Sequence, residues 1–261
     1  MPVNIYHPHI MEDGLLLWAV GAVAVILIGL SKGGFGGLTI MAVPIMSLVI
    51  PPTQAAAIIL PIMIIMDGFS LHAYRKIWNP AIIKLMLPAS LVGIGAGWAL
   101  AGTVSDDAIR VSVGLIAVCF SIYSAARLWR GTESTPPSWA HNRWIGRLAA
   151  AVSGFTSFFA HAGGPPFRAY VLPRKLENQV FAGTSVIFFA FMNAVKLIPY
   201  AALGQLSTAN LSTSLFLIPL APIGVWLGVW GVKRLPMQIF YIIIYSLVFI
   251  VGLKLLYDGL L

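Results

Sequence analysis

The chain has 261 residues, of which 59% are hydrophobic and only 9% are charged. Soluble domains carry about 25% charged residues, so this composition excludes a soluble globular protein. The net charge of +8 does not indicate a nucleic-acid partner, because the basic residues flank long apolar runs, as they do in membrane proteins. We therefore predict an all-α, polytopic membrane protein in contact with the lipid bilayer.

The first apolar run, Leu15–Leu30, predicts a retained membrane span, since the preceding residues have no basic region and no cleavage site typical of a signal peptide. The run ends in the stretch Ser-Lys-Gly-Gly-Phe-Gly-Gly. Glycines that break a membrane helix expose backbone N–H groups that attract anions, and Lys32 adds a positive charge. We predict that Lys32, Gly33 and Gly34 bind an anion. The alternative is close helix packing by the glycines, with Lys32 reaching the headgroups.

A polar segment near the middle of the chain divides it into two halves. Its prolines, serines and threonines are typical of a linker, and we predict a first repeat over residues 1–130, a linker over 131–142 and a second repeat over 143–261. Three features recur in the same order in both halves, which favours internal duplication: a Gly-Gly pair at Gly33 and Gly163, the segments Met66–Tyr74 and Met192–Tyr200, and a Pro-Gly span containing Pro88 and Pro219.

The second helix break has the sequence Ala-His-Ala-Gly-Gly-Pro-Pro-Phe-Arg. Gly163 and Gly164 interrupt the helix and the two following prolines cannot continue it. His161 and Arg168 flank this break, and an arginine offers a planar fork for two anion oxygens. We predict that these four residues bind the same anion as Lys32. The alternatives are an anchoring role for Arg168 and a packed histidine at position 161.

Asp67 and Lys196 are charged residues inside apolar spans, where charge is costly and requires a partner. In the aligned segments Asp67 is equivalent to Asn193, and Lys196 to Ser70. One interpretation is a buried ion pair between the halves. The other is that Asp67 and Lys196 couple transport to an ion, since a desolvated carboxylate can bind a proton. Both interpretations remain open.

The distribution of charge predicts the membrane topology. All basic clusters fall on one side if each half crosses five times, with eight long spans and two short ones in total. An odd number of crossings gives inverted repeats with both termini outside the cytoplasm. The alternative is eight spans plus two re-entrant segments, because the segments that follow the breaks are short for a complete span.

Taken together, the two glycine motifs and the Gly-Thr-Ser segment at Gly183–Ser185 resemble the sulfite exporter TauE/SafE family, over about Leu15 to Tyr257. The resemblance implies a transporter of sulfite, sulfoacetate or sulfonates, driven by an ion gradient of protons or sodium, and it adds Thr184 and Ser185 as substrate contacts. The first half has Ala57–Ile59 in place of Gly-Thr-Ser, so we expect the two halves to differ at the site.

We therefore predict a secondary transporter of small anions in the cytoplasmic membrane, with no cofactor and no metal site. Two alternatives stay open: an intramembrane enzyme that uses His161 and Asp67, and an anion channel. No G-x-S-x-G, H-E-x-x-H or nucleotide-binding motif occurs in the sequence. Small residues such as Gly93, Gly95 and Gly97 are compatible with a homodimer as well as with internal packing.

Overall fold

A computed structural model describes residues 10–33, 37–130, 138–232, 234 and 237–261. These ranges consist of helices and the turns that connect them and contain no strand, which confirms the all-α class. The described α-helices are α1 Ile10–Gly33, α2 Ala42–Met46, α3 Pro52–Tyr74, α4 Pro80–Ala101, α5 Asp106–Arg130, α6 Arg143–Ala160, α7 Gly164–Val171, α8 Asn178–Ala202, α9 Thr208–Leu217, α10 Leu220–Val232 and α11 Met237–Leu260.

Six of the described helices are long and apolar enough to cross a membrane. They lie in α1, α3, α4, α5, α8 and α11, and the bent pair α9 and α10 would add a seventh span. The chain is thus a multi-pass membrane protein. The count of eight long and two short spans remains a prediction.

Prolines and short polar side chains begin several helices. Asn79 accepts a hydrogen bond from the backbone of Ile82 at the start of α4, and Asn142 accepts bonds from Trp144 and Ile145 at the start of α6. Such caps satisfy backbone N–H groups that have no partner inside the helix. They fix where the helices begin, and thereby the register of the residues deep in the bundle.

The apolar run Leu211–Val232 is not one straight helix. Helix α9 ends at Leu217, α10 begins at Leu220, and the two are bent by 41°. Pro219 lies in the break, where its missing N–H and its ring oppose a continuous helix. Pro61, Pro88 and Pro199, in contrast, lie inside α3, α4 and α8.

The two halves contact each other reciprocally. Helix α1 of the first half packs on α10 of the second, and α6 of the second half packs on α4 of the first. Helix α3 packs on α8, and α5 on α11. A duplicated chain would produce this pattern, because each half offers its first span to the Pro-Gly span of the other. Duplication and inversion of the halves remain predictions that this pattern supports.

Glycines bring the backbones of these reciprocal pairs into contact. A Cβ atom on Gly93 would lie 1.9 Å from the carbonyl oxygen of Ala151, and one on Gly224 would lie 2.7 Å from that of Ile26. Small residues at helix crossings in membranes allow such close approach. The halves are therefore held together by glycine contacts on either side of the central pair α3 and α8.

Candidate functional site

The carboxylate of Asp67 on α3 has two partners from different elements. Lys32, in the last turn of α1, forms an ion pair with Oδ1, and the side-chain amide of Asn193 on α8 donates to Oδ2 over 2.6 Å. Asp67 and Asn193 are buried. A charge taken out of water requires such paired, hydrogen-bonded partners.

The ammonium group of Lys196 lies deeper, and the residue has no exposed surface. It donates to the carbonyl oxygen of Ser157 over 3.1 Å and to its hydroxyl over 3.0 Å, and it lies 2.7 Å from Nδ1 of His161. All three contacts are made by neutral groups of α6 and its C-terminal residue, and Lys196 also interacts electrostatically with Asp67. Asp67 and Lys196 therefore form no direct ion pair, which was one of the two interpretations of these residues, and each has its own hydrogen-bond partners.

His161 joins α6 and α8 to the beginning of α3. Its Nε2 lies 2.9 Å from the carbonyl oxygen of Ala56, which can only accept, so Nε2 carries a proton. Nδ1 faces the ammonium of Lys196 and accepts, which makes the imidazole neutral. His161 ends α6 in the left-handed region, with φ 50° and ψ 27°, a conformation that is uncommon outside glycine.

These contacts form one polar core, which we define as Lys32, Asp67, Asn193, Lys196 and His161. Asn193 and Lys196 lie three residues apart on α8 and so share one face of that helix. The core contains two ammonium groups and a single carboxylate. It therefore holds an excess of positive charge inside an apolar bundle.

Carbonyl groups of the second helix break are hydrogen-bonded to α6 itself. The hydroxyl of Ser153 donates to the carbonyl oxygen of Gly163 over 2.6 Å, and that of Thr156 to Ala162 over 3.0 Å. A Cβ on Gly163 would lie 2.8 Å from Ser153, whereas Gly164 has open space around its Cα. Within this break, Gly164 is thus the glycine that a ligand could approach.

Arg168 on α7 extends to the segment that follows the first helix break. Its Nη1 lies 2.8 Å from the position that a Cβ of Gly37 would occupy, and Gly37 has a φ of +106°. The N–H of Gly37 donates to the hydroxyl of Ser31 over 3.2 Å. Arg168 of the second half therefore lies against Gly37, which is hydrogen-bonded to Ser31, the neighbour of Lys32 in the first half.

The remaining predicted site residues lie elsewhere. Gly33 packs against α10, where its Cβ would lie 2.5 Å from the carbonyl oxygen of Val225, and Gly34 falls outside the described residues. The hydroxyl of Thr184 accepts from the N–H of Asn79 over 2.9 Å and donates to Val180, and that of Ser185 donates to Phe181. Thr184 lies about 18 Å along α8 from Lys196, at 1.5 Å per residue. Substrate binding by these residues remains a prediction.

A cavity of about 180 Å³ opens where α3 begins and α8 ends. Ala56 and Phe158 line it. The carbonyl oxygen of Ala56 is hydrogen-bonded to His161, and Phe158 follows Ser157 in the sequence. The other lining residues are Thr53, Ala101, Phe159, Tyr200, Leu203 and Gln205. We call this cavity the vestibule. It is smaller than the roughly 300–1,000 Å³ of pockets for drug-sized ligands, and it suits a small ion.

Sequence reasoning missed Asn193, Ser157 and the vestibule as parts of the site. Asn193 could have been identified from the aligned segments of the two halves, because it is the equivalent of Asp67. Ser157 carries no comparable signal, because one serine in an apolar helix also occurs where its hydroxyl bonds the preceding turn. The vestibule depends on how α3 and α8 cross, which local sequence does not encode.

Comparison with known protein families identifies the family of the chain. No curated protein and no solved structure gave a significant match. A family model described as sulfite exporter TauE/SafE matches residues 21–255, which include both helix breaks, Asp67 and Lys196. The match covers most of the chain, and the protein belongs to the sulfite exporter TauE/SafE family of membrane transporters.

Proposed function

We propose that the protein is a secondary transporter that moves small sulfur-containing anions, such as sulfite, sulfoacetate or other sulfonates, across the cytoplasmic membrane. The family gives the transport class and the sulfur anion. The single observation that carries the proposed site is that Arg168, from the second half, lies against Gly37, which is hydrogen-bonded to Ser31, the neighbour of Lys32 in the first half.

The chemistry of this pair suits a sulfonate or sulfite group. Lys32 already holds a carboxylate oxygen of Asp67, so its ammonium lies where an oxyanion can bind. Arginine presents a planar fork to two oxygens and lysine a point charge to a third. Because Gly37 has no Cβ, the guanidinium of Arg168 can lie against the backbone of this turn.

Alternating access is proposed to occur between the vestibule and the opposite end of the bundle. On the inner side of Ala56 and Phe158, the route that an anion would take is filled by the buried contacts of His161, Lys196 and Ser157. Opening this barrier requires α3, α6 and α8 to separate, as when one half moves against the other. A filled barrier behind a cavity favours a transporter over an open channel.

We further propose that Asp67 and Lys196 couple anion movement to a proton or sodium gradient, and that both chain termini lie outside the cytoplasm.

The described contacts do not favour an enzyme built on Asp67 and His161, since each has other partners and no hydrogen bond joins the two. Catalysis by such a pair would require the carboxylate to orient the imidazole.

Counterflow in proteoliposomes tests the function. We expect labelled sulfite or sulfoacetate to exchange with unlabelled anion, and we expect Arg168→Gln to raise the KM, because the amide lacks the charged fork. Lys84→Met is the matched control, since Lys84 is exposed on α4. Absence of exchange with every sulfur anion would contradict the function, whereas a current that grows without saturation would favour the channel.

A further inference from the structure

The polar core places one carboxylate between two ammonium groups. Asp67 forms an ion pair with Lys32 through Oδ1, while Asn193 occupies Oδ2. Lys196 lies one helical turn beyond Asn193 and interacts electrostatically with Asp67, but its ammonium donates to Ser157 and faces the neutral His161. Lys196 is thus a second available partner for the same carboxylate.

The two lysines differ in access. The side chain of Lys32 is 20% exposed, that of Asp67 only 3%, and Lys196 is fully buried. An anion that enters from the end of the bundle opposite the vestibule therefore reaches Lys32 before it reaches Lys196. At Lys32 it meets a site that a carboxylate of the protein already occupies.

We propose that Asp67 is an internal anion: a substrate displaces it from Lys32, and its carboxylate then pairs with Lys196. This inference rests on the proposed function and explains how anion binding at one helix break reaches the other. Transfer of Asp67 to Lys196 draws the ammonium away from Ser157 and His161. Those contacts adjoin Ala56 and Phe158, which line the vestibule, so the exchange of partners loosens this barrier when substrate is bound.

The charges around Asp67 require this exchange of partners. Lys32, Lys196 and Arg168 carry three positive charges, and Asp67 is the carboxylate beside them. When an anion takes the place of Asp67 at Lys32, the displaced carboxylate needs another cationic partner, because an unpaired buried charge is costly. Lys196 is that partner.

The groups around Asp67 support this exchange of partners. Lys32 faces Asp67 from α1, and Asn193 and Lys196 face it from α8, with His161 at the end of α6 behind Lys196. Helices α2 and α9 also pack on α3 and carry no titratable side chain. On α5, Cys119 and Tyr123 are exposed, and Asp106 lies beside Thr53 at the beginning of α3.

Binding to the purified wild-type protein provides the first test. Methanesulfonate and sulfoacetate serve as probes, and their affinities are measured by calorimetry for the wild type and for Lys196→Met. We expect weaker binding by Lys196→Met, because the displaced carboxylate of Asp67 then has no second partner. Equal binding by the two proteins would overturn the inference.

Asp67→Asn provides the second test, because it removes the internal anion while its amide oxygen can still accept from Asn193. We expect both probes to bind more tightly, within the 5–150-fold range that is typical of coupling between sites. Lys84→Met should bind as the wild type does. Should Asp67→Asn fail to fold, the comparison of the wild type with Lys196→Met decides alone.

The outcomes separate the two proposals. Wild-type protein that binds neither probe nor sulfite overturns the proposed function and this inference together. Wild-type protein that binds the probes, combined with equal or weaker binding by Asp67→Asn, overturns the inference and leaves the proposed function intact.

Discussion

Asp67 and Asn193 lie 126 positions apart in the chain and share a hydrogen bond of 2.6 Å between their side chains. They are also the equivalent residues of the aligned segments Met66–Tyr74 and Met192–Tyr200. If the halves are inverted repeats, equivalent residues touch only where the axis that relates the halves passes through the protein. The polar core would then lie on that axis, where a relative movement of the halves acts directly on its contacts.

The pair also explains why the core is asymmetric. Two carboxylates at this distance would repel each other, and one of them would have to bind a proton. Asparagine at position 193 avoids the repulsion and leaves a single carboxylate for Lys32 and Lys196. The carboxylate is therefore contributed by one half only, because this pair lies at the contact of α3 with α8.

Lys32→Gln should remove the positive partner of Asp67 and leave the buried carboxylate with Asn193 alone. We expect lower thermal stability in detergent, by less than the roughly 3–5 kcal/mol that breaking a fully buried ion pair costs, because the side chain of Lys32 is 20% exposed. We also expect transport to be lost.

The double variant Lys32→Gln/Asp67→Asn is the control for this experiment. It should recover most of the stability, since no unpaired charge remains, but it should not recover transport. Recovery of transport together with stability would show that Lys32 serves only the fold.

Gly93→Ala should disrupt the crossing of α4 and α6. The new Cβ would lie 1.9 Å from the carbonyl oxygen of Ala151, and the opposing atom belongs to a backbone, so the helices must separate. Overpacking of this kind costs about 1–3 kcal/mol or more, which thermal unfolding in detergent would detect.

Gly95→Ala is the matched control two residues away on the same helix. Nothing lies within 4 Å of its new Cβ, and alanine is a better helix former than glycine by about 1 kcal/mol. We expect unchanged or higher stability. Equal destabilisation by both substitutions would contradict the close contact between α4 and α6.

The sequence predicted the class of the protein well and the site in part. Membrane spans follow from long apolar runs, and the cost of buried charge singled out Lys32, Asp67, His161, Arg168 and Lys196. The partners of these residues were not predictable, because they depend on the crossing of distant helices. The bend at Pro219 was missed for a related reason, since Pro88 at the equivalent position lies inside a continuous helix.

Lys196→Met should separate stability from function. Replacement of a buried charged residue by an apolar one of similar volume is often neutral or stabilising, and Asp67 would keep its ion pair with Lys32. We therefore expect a folded protein of unchanged or higher melting temperature that has lost coupled transport, measured as uptake against a pH or sodium gradient. Retained coupling would exclude a role for Lys196.

Thr184→Val tests whether the Gly-Thr-Ser segment contacts substrate or serves the fold. Its hydroxyl accepts the N–H of Asn79, the residue that caps α4. Loss of this bond should cost about 1–3 kcal/mol, because the N–H is left without its acceptor, and the KM for sulfite should stay within twofold. Thr184→Ser retains a hydroxyl and is the control. A large rise in KM without loss of stability would instead support substrate contact.

Cysteine labelling tests the orientation in the membrane and the vestibule together. Gln205 lines the vestibule with Thr53, at the beginning of α3, whereas Lys76 follows the other end of α3 and is exposed. In a Cys119→Ser background, we expect a membrane-impermeant thiol reagent to label Gln205→Cys in intact cells, and Lys76→Cys only after the cells are opened. This result is expected because basic residues such as Lys76 remain on the cytoplasmic side. Bound sulfite that shifts the protein between its two access states should also change the labelling rate of Gln205→Cys and leave that of Lys76→Cys unaltered. The reverse pattern of access would place the termini in the cytoplasm.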